Sequence, residues 1–173
     1  VTAMNGGPSR LARPDEIERI REIQRAAGRL FLESPYPEIA EHEPDTAEEL
    51  AAAQDRWWLW VSVDDRDRPV GALRVLPSGD GLHLRQLDVD PVHAGAKRTA
   101  GLVRSLGRFF AGRGFGHLTL TTFADVPWNA PYYERIGFRP LSGDGLTETL
   151  KNALFAEAGG YPVSSRVAMR FDF

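Results

Sequence analysis

Residues 82–114, LHLRQLDVDPVHAGAKRTAGLVRSLGRFFAGRG, constrain the fold more than any other part of the chain. Leu87 and Val89 alternate with polar neighbours, as a half-buried strand requires. Asp90-Pro91 stops that strand, because proline has no N–H to give a ladder. From Leu102 the apolar residues fall at Leu102, Val103, Leu106, Phe109 and Phe110, which is helical spacing. Gly112 and Gly114 end the helix. Between strand and helix, His93 to Thr99 form a loop whose backbone N–H groups lie at a helix N-terminus and can hold an anion. Leu84 sits on the opposite parity to Leu87 and Val89. Either a β-bulge separates them, the reading preferred here, or Leu84 faces a second core.

Around this stretch the chain reads as alternating strands and helices. Ser9 to Ala12 form a short strand. Pro14-Asp15 opens a helix whose buried face is Ile17, Ile20, Ile23, Ala27, Leu30 and Phe31. Glu33 to Pro44 holds three prolines and reads as a loop. Thr46-Ala47-Glu48-Glu49 is a capping box for a helix to about Asp55. Trp57 to Val63 and Pro69 to Leu76 are strands, and Ser78-Gly79-Asp80-Gly81 turns the chain back as a hairpin. After the long helix come a strand at His117 to Thr122, a short helix at Pro131 to Ile136 and a strand at Phe138 to Leu141. A helix at Thr147 to Ala158 and a strand at Val163 to Phe173 complete the order β-α-α-β-β-β-α-β-α-β-α-β, an α/β pattern.

At 173 residues the chain is long enough for one well-buried core. A net charge of −3 gives no broad nucleic-acid footprint. The absence of cysteine excludes disulfides, thiolate nucleophiles and zinc–cysteine sites. His42, His83, His93 and His117 lack metal-ligand spacing, so no metal is expected. No signal peptide or long apolar run is visible, so a cytoplasmic protein with no membrane partner is expected. Residues 1–8 are expected to be unstructured, with Met4 read as a start and the residues ahead of it as extraneous. The folded domain is placed at 9–173.

Two segments carry a family resemblance. Val89-Asp90-Pro91, His93, Gly95, Leu102 and Arg113-Gly114 resemble the strand, V-x-P turn and helix of the GNAT acyltransferases. Asn129-Ala130-Pro131-Tyr132-Tyr133-Glu134-Arg135-Ile136-Gly137-Phe138 is similar to their N-x-x-(F/Y)-Y-x-x-x-G-F segment. The resemblance implies a single GNAT-like domain, with a central mixed, mostly antiparallel sheet and helices on both faces. It implies transfer of an acyl group, acetyl or another, from acyl-CoA to a small amine by direct attack. The family's Q/R-x-x-G-x-G/A phosphate loop is altered here: Ala94 stands at its leading polar position, and Lys97 and Thr99 at its two glycines.

By the same resemblance, backbone of Gly95, Ala96, Lys97, Arg98, Thr99 and Ala100 holds the CoA pyrophosphate. Lys97 and Arg98 either supply charge there or are solvated residues at the helix entry. A backbone N–H among Leu87, Asp88 and Val89 donates to the thioester carbonyl. Asn129 holds CoA or caps its helix, with capping the simpler role. Tyr132 is assigned to the cofactor side and is also the better candidate for a core aromatic. Tyr133 is the general acid that protonates the leaving sulfur; its ordinary pKa of about 10 suits a thiolate. The family's glutamate base has no counterpart at Arg85, Gln86, Thr121 or Thr122. His83, His93, Asp88 and Asp125 are the substitutes, each with a plainer surface or turn role.

The altered loop leads to the expectation that acetyl-CoA binds weakly or with its pyrophosphate displaced. It also keeps open a GNAT-fold binding or regulatory module, or a different reaction. The amine acceptor and the choice between monomer and homodimer are not legible, although Trp57 or Trp58 would suit a dimer contact.

Overall fold

A computed structural model describes residues 8–173, so most of the N-terminal segment expected at 1–8 lies outside the described residues. Its strands are β1 (Ser9–Leu11), β2 (Leu59–Val63), β3 (Pro69–Ser78), β4 (Gly81–Val89), β5 (His117–Phe123), β6 (Arg139–Pro140) and β7 (Arg166–Asp172). Its helices are α1 (Ile17–Gly28), α2 (Ala47–Asp55), α3 (Ala96–Ala111), α4 (Ala130–Ile136) and α5 (Glu148–Ala156). The strands form one mixed sheet in the order β1-β2-β3-β4-β5-β7-β6, which puts β4 at its centre as expected. Contacts divide the chain into two compact units: one runs to Val75 and adds Arg85–Arg108, the other comprises Leu76–Leu84 and Phe109–Phe173.

In the first unit β1, β2 and β3 pair antiparallel, with a register shift between Ser62 and Val63. Ile20, Leu50, Ala53, Leu59, Val61 and Ala72 form its core, with Ile17 and Trp58 packed against them. The capping box of α2 is present in full: Thr46 Oγ1 accepts from Glu49 N, and Glu49 Oε2 accepts from Thr46 N. Two expectations change. Leu30 is exposed, because the chain tightens into a 3₁₀ turn at Arg29–Glu33 and rotates it off the apolar face of α1. Trp57 is not in a strand: its φ of 65° makes it a left-handed turn residue, 53% exposed, and β2 begins at Leu59.

In the second unit β5 pairs in parallel with the start of β4 and antiparallel with β7, which also pairs with β6. Leu82, His83 and Leu84 are all buried, so this half of β4 is covered on both faces and shows no alternation. Leu84 therefore does face a core. The seventh strand starts three residues later than its apolar pattern suggests, because Val163–Ser165 form a 3₁₀ turn.

Candidate functional site

The turn before α3 belongs to the first unit. His93 N donates to Asp90 O (2.8 Å) and Arg98 N to Gly95 O (3.1 Å). Lys97 and Thr99 lie in regular helix and have no left-handed φ, so they add no backbone strain there. Thr99 is 2% exposed, its side chain turned into the protein, and Ala100 is buried. Gly95 is exposed, and a Cβ on it would meet nothing within 4 Å. Arg98 is committed to structure: its Nη1 donates to Val63 O at 3.1 Å. Of the two basic side chains considered for phosphate, Lys97 alone is exposed. The donor set suits a phosphate: an open turn, a helix of 16 residues behind it and one outward lysine.

The end of β4 is brought close to β3 by Gly71. A Cβ there would stand 2.7 Å from Ser62 Oγ and 3.2 Å from both Asp88 O and Val89 Cγ2, so glycine is what fits. Leu87, Asp88 and Val89 are half-buried, and Asp90 N closes the strand by donating to Val70 O.

Asp88 lines a cavity of about 200 Å³ that lies wholly within the first unit, together with Gln24, Phe31, Glu43, Asp45 and Gln86. Its wall is fixed by long-range bonds. Arg74 grips Asp45 with two contacts of 2.7 and 2.9 Å, and Gln24 exchanges hydrogen bonds with Asp45 in both directions. Gln86 Nε2 donates to Asp88 Oδ2 at 2.6 Å. Burial pushes the Asp88 carboxyl up, the Gln86 bond pulls it back, and the Asp45 charge adds a further push, leaving it at about 7. A carboxyl at that value is partly ionised at neutral pH and can take a proton from an ammonium group. Asp88 was one of four substitutes for the missing base, with a surface or turn role as its plainer reading. The structure instead places it on a cavity wall. The i, i+2 spacing of Gln86 and Asp88 on a strand was the available signal, since it puts both side chains on one face.

The other residues belong to the second unit. Asn129 stands at the N-cap of α4 and accepts from Tyr132 N and Tyr133 N through its backbone, while its side chain makes no capping bond. Gly137 ends α4 with a φ of 112°. Tyr133 is buried (8% exposed) and edge-on to Phe138, whereas Tyr132 is half-buried with Arg135 over its ring. The expected order of the two is thus reversed: Tyr133 is the deeper aromatic. His83 is bound between Thr119 Oγ1 (3.0 Å) and Glu157 Oε1 (3.3 Å), a structural setting. Asp125 is exposed; His93, back in the first unit, is the last residue of the 3₁₀ turn Pro91–His93.

Among the described residues no group of three or more His, Cys, Asp or Glu is placed to hold a metal. Nor is any described helix long and apolar enough to cross a membrane.

The family model for the acetyltransferase (GNAT) family matches residues 17–138, and the chain belongs to that family. Its fold is similar to the PaiA N-acetyltransferase of Thermoplasma acidophilum, solved with coenzyme A (15% identity, TM-score 0.71, 96% of this chain and 98% of that one). It is also similar to the phosphinothricin acetyltransferase of Sinorhizobium meliloti in complex with AcCoA (14% identity, TM-score 0.67, 98% and 89%). A GNAT family acetyltransferase of Brucella melitensis, solved with acetyl-CoA, matches over less of its length (22% identity, TM-score 0.54, 76% and 82%).

Proposed function

We propose that this chain is an acyl-CoA-dependent N-acyltransferase acting on a small primary amine, with Asp88 as its general base. The observation that carries the reading is Asp88, a carboxyl on a cavity wall whose proton affinity is raised to about 7. Family membership and neighbours solved with coenzyme A or acetyl-CoA support acyl-CoA as the second substrate.

An acyl-CoA supplies a thioester, whose carbonyl carbon accepts the amine. The turn at Gly95 to Ala100, with Lys97 outermost, binds the phosphates. Backbone N–H late in β4, at Val89 or beside it, donates to the carbonyl oxygen as charge develops. Asp88 removes the proton from the acceptor ammonium, which frees the nitrogen lone pair. Tyr133 gives a proton to the departing sulfur and is restored from solvent, to which the nitrogen's second proton is lost as the amide forms. One C–N bond forms, one C–S bond breaks, and the products are an amide and the free thiol. Asn129 and Tyr132 serve the cofactor side.

The test is thiol release from acetyl-CoA in the presence of primary amines between about pH 5 and about pH 9. The rate is expected to rise through about pH 7 and then level. A profile that is flat across that range removes Asp88 as base. No thiol release with any primary amine, despite binding of acetyl-CoA, turns the reading into a binding module.

A further inference from the structure

The Asp88 cavity has a one-sided charge. Among the described residues Glu43, Asp45, Asp88 and His42 line it, and no lysine or arginine does. Arg74 neutralises Asp45 through its two-pronged grip. Among the described residues Glu43 is exposed with no basic ion-pair partner, and the Asp88 carboxylate accepts from the neutral amide of Gln86. A ligand carboxylate here would meet two uncompensated acids and no cation; a ligand ammonium would meet two acceptors. Size narrows the choice further. A cavity near 150 Å³ accommodates about six heavy atoms, as benzene shows, and this one is about 200 Å³.

From the cavity's wall chemistry and volume we infer that it selects a compact alkylamine carrying a second cationic group and no carboxylate, of about six heavy atoms. The inference rests on the acyltransferase reading for what then happens to the amine, but the charge preference belongs to the cavity itself. Asp88 faces the amine that loses its proton, and Glu43 faces the second cation. A neighbouring cavity shares His42 and Glu43 but adds Arg25 and Arg29, so a longer ligand would enter ground of mixed sign. Short ligands confine the test to the first cavity.

Butane-1,4-diamine, butylamine and 4-aminobutanoate share a four-carbon spine and differ in the charge of the far end. Calorimetric titration of the whole chain at fixed ionic strength is the first readout, and kcat/KM with acetyl-CoA the second. The diamine is expected to bind about tenfold or more tighter than butylamine, and 4-aminobutanoate about tenfold or more weaker. Glu43→Gln is expected to weaken the diamine about fivefold or more, and by more than it weakens butylamine. Binding of 4-aminobutanoate equal to that of butylamine overturns the inference, as does a Glu43→Gln variant that leaves the diamine advantage unchanged. Binding in the expected order with no amide formed leaves the charge preference standing and removes the acyltransferase reading. Amide formation without discrimination among the three does the reverse.

Discussion

Asp88 and Tyr133 divide the proposed chemistry, and each has its own signature. Replacing Asp88 by Asn keeps the Gln86 neighbour and the cavity volume but removes the base. The expected result is a kcat lower by about 10²-fold or more and loss of the acid limb near pH 7. A variant that keeps the limb shows that another group titrates. Tyr133 is buried against Phe138, so its hydroxyl is the only part that phenylalanine deletes. Tyr133→Phe should therefore fold normally and lower kcat by about 10²-fold with an unchanged KM for acetyl-CoA. Full turnover would leave Tyr133 a packing residue. The placement of Tyr133 in a short helix with Asn129 at its N-cap was legible because both lie in a contiguous motif. The environment of Asp88 was not, because its burial and Asp45 neighbour depend on contacts with segments more than forty residues away in sequence.

The elements that shape the first unit's cavity were read with mixed success, for physical reasons. The β4–turn–α3 stretch was legible because its apolar periods are strong and proline punctuates them. The wall formed by the Pro37–Glu41 turn and Asp45 has no period, and Arg74, Gln24 and Arg21 hold Asp45 in place through long-range bonds. The turn before α3 alters the reasoning about weak acetyl-CoA binding. Thr99 is turned inward, so its bulk does not obstruct a phosphate, and Lys97 is left as the outward side chain. Lys97→Ala is thus expected to weaken acetyl-CoA by severalfold, with a loss that shrinks at high salt. Tighter binding by that variant would restore the steric account. On β3, Gly71→Ala would push on Ser62 Oγ and on the Asp88 carbonyl. The expected cost is about 1–3 kcal/mol, from overpacking, with activity reduced beyond what the folded fraction explains. Unchanged stability would mean that β4 shifts freely.

At the scale of the whole molecule, groups of opposite sign set how stability depends on pH. Burial pushes the Glu16 carboxyl up, but the Arg10 fork at 2.7 and 3.0 Å and the Arg13 N–H hold it below its ordinary value. Burial and the Arg19 bond oppose each other at Asp90 in the same way, and its carboxyl is also held low. Both contribute stability that is full above the unfolded value of about 4 and lost as pH falls through the lower folded one. Burial lowers His117, so its contribution is full above about pH 6.5 and declines as pH falls through its folded value. Surface pairs such as Arg13–Asp67 are screened and add little. Asp88 runs the other way. The unfolded chain releases its proton near 3.8 and the folded chain holds it to about 7, so its contribution is full at low pH and lost between those values. Asn in its place has nothing to lose. The melting temperature of Asp88→Asn relative to wild type should therefore rise steadily from about pH 4 to about pH 7 and stay level above. A difference that is constant over that range would mean that Asp88 titrates like a surface carboxylate. It would then be too acidic to serve as the base, and the pH-dependent rate would need another origin.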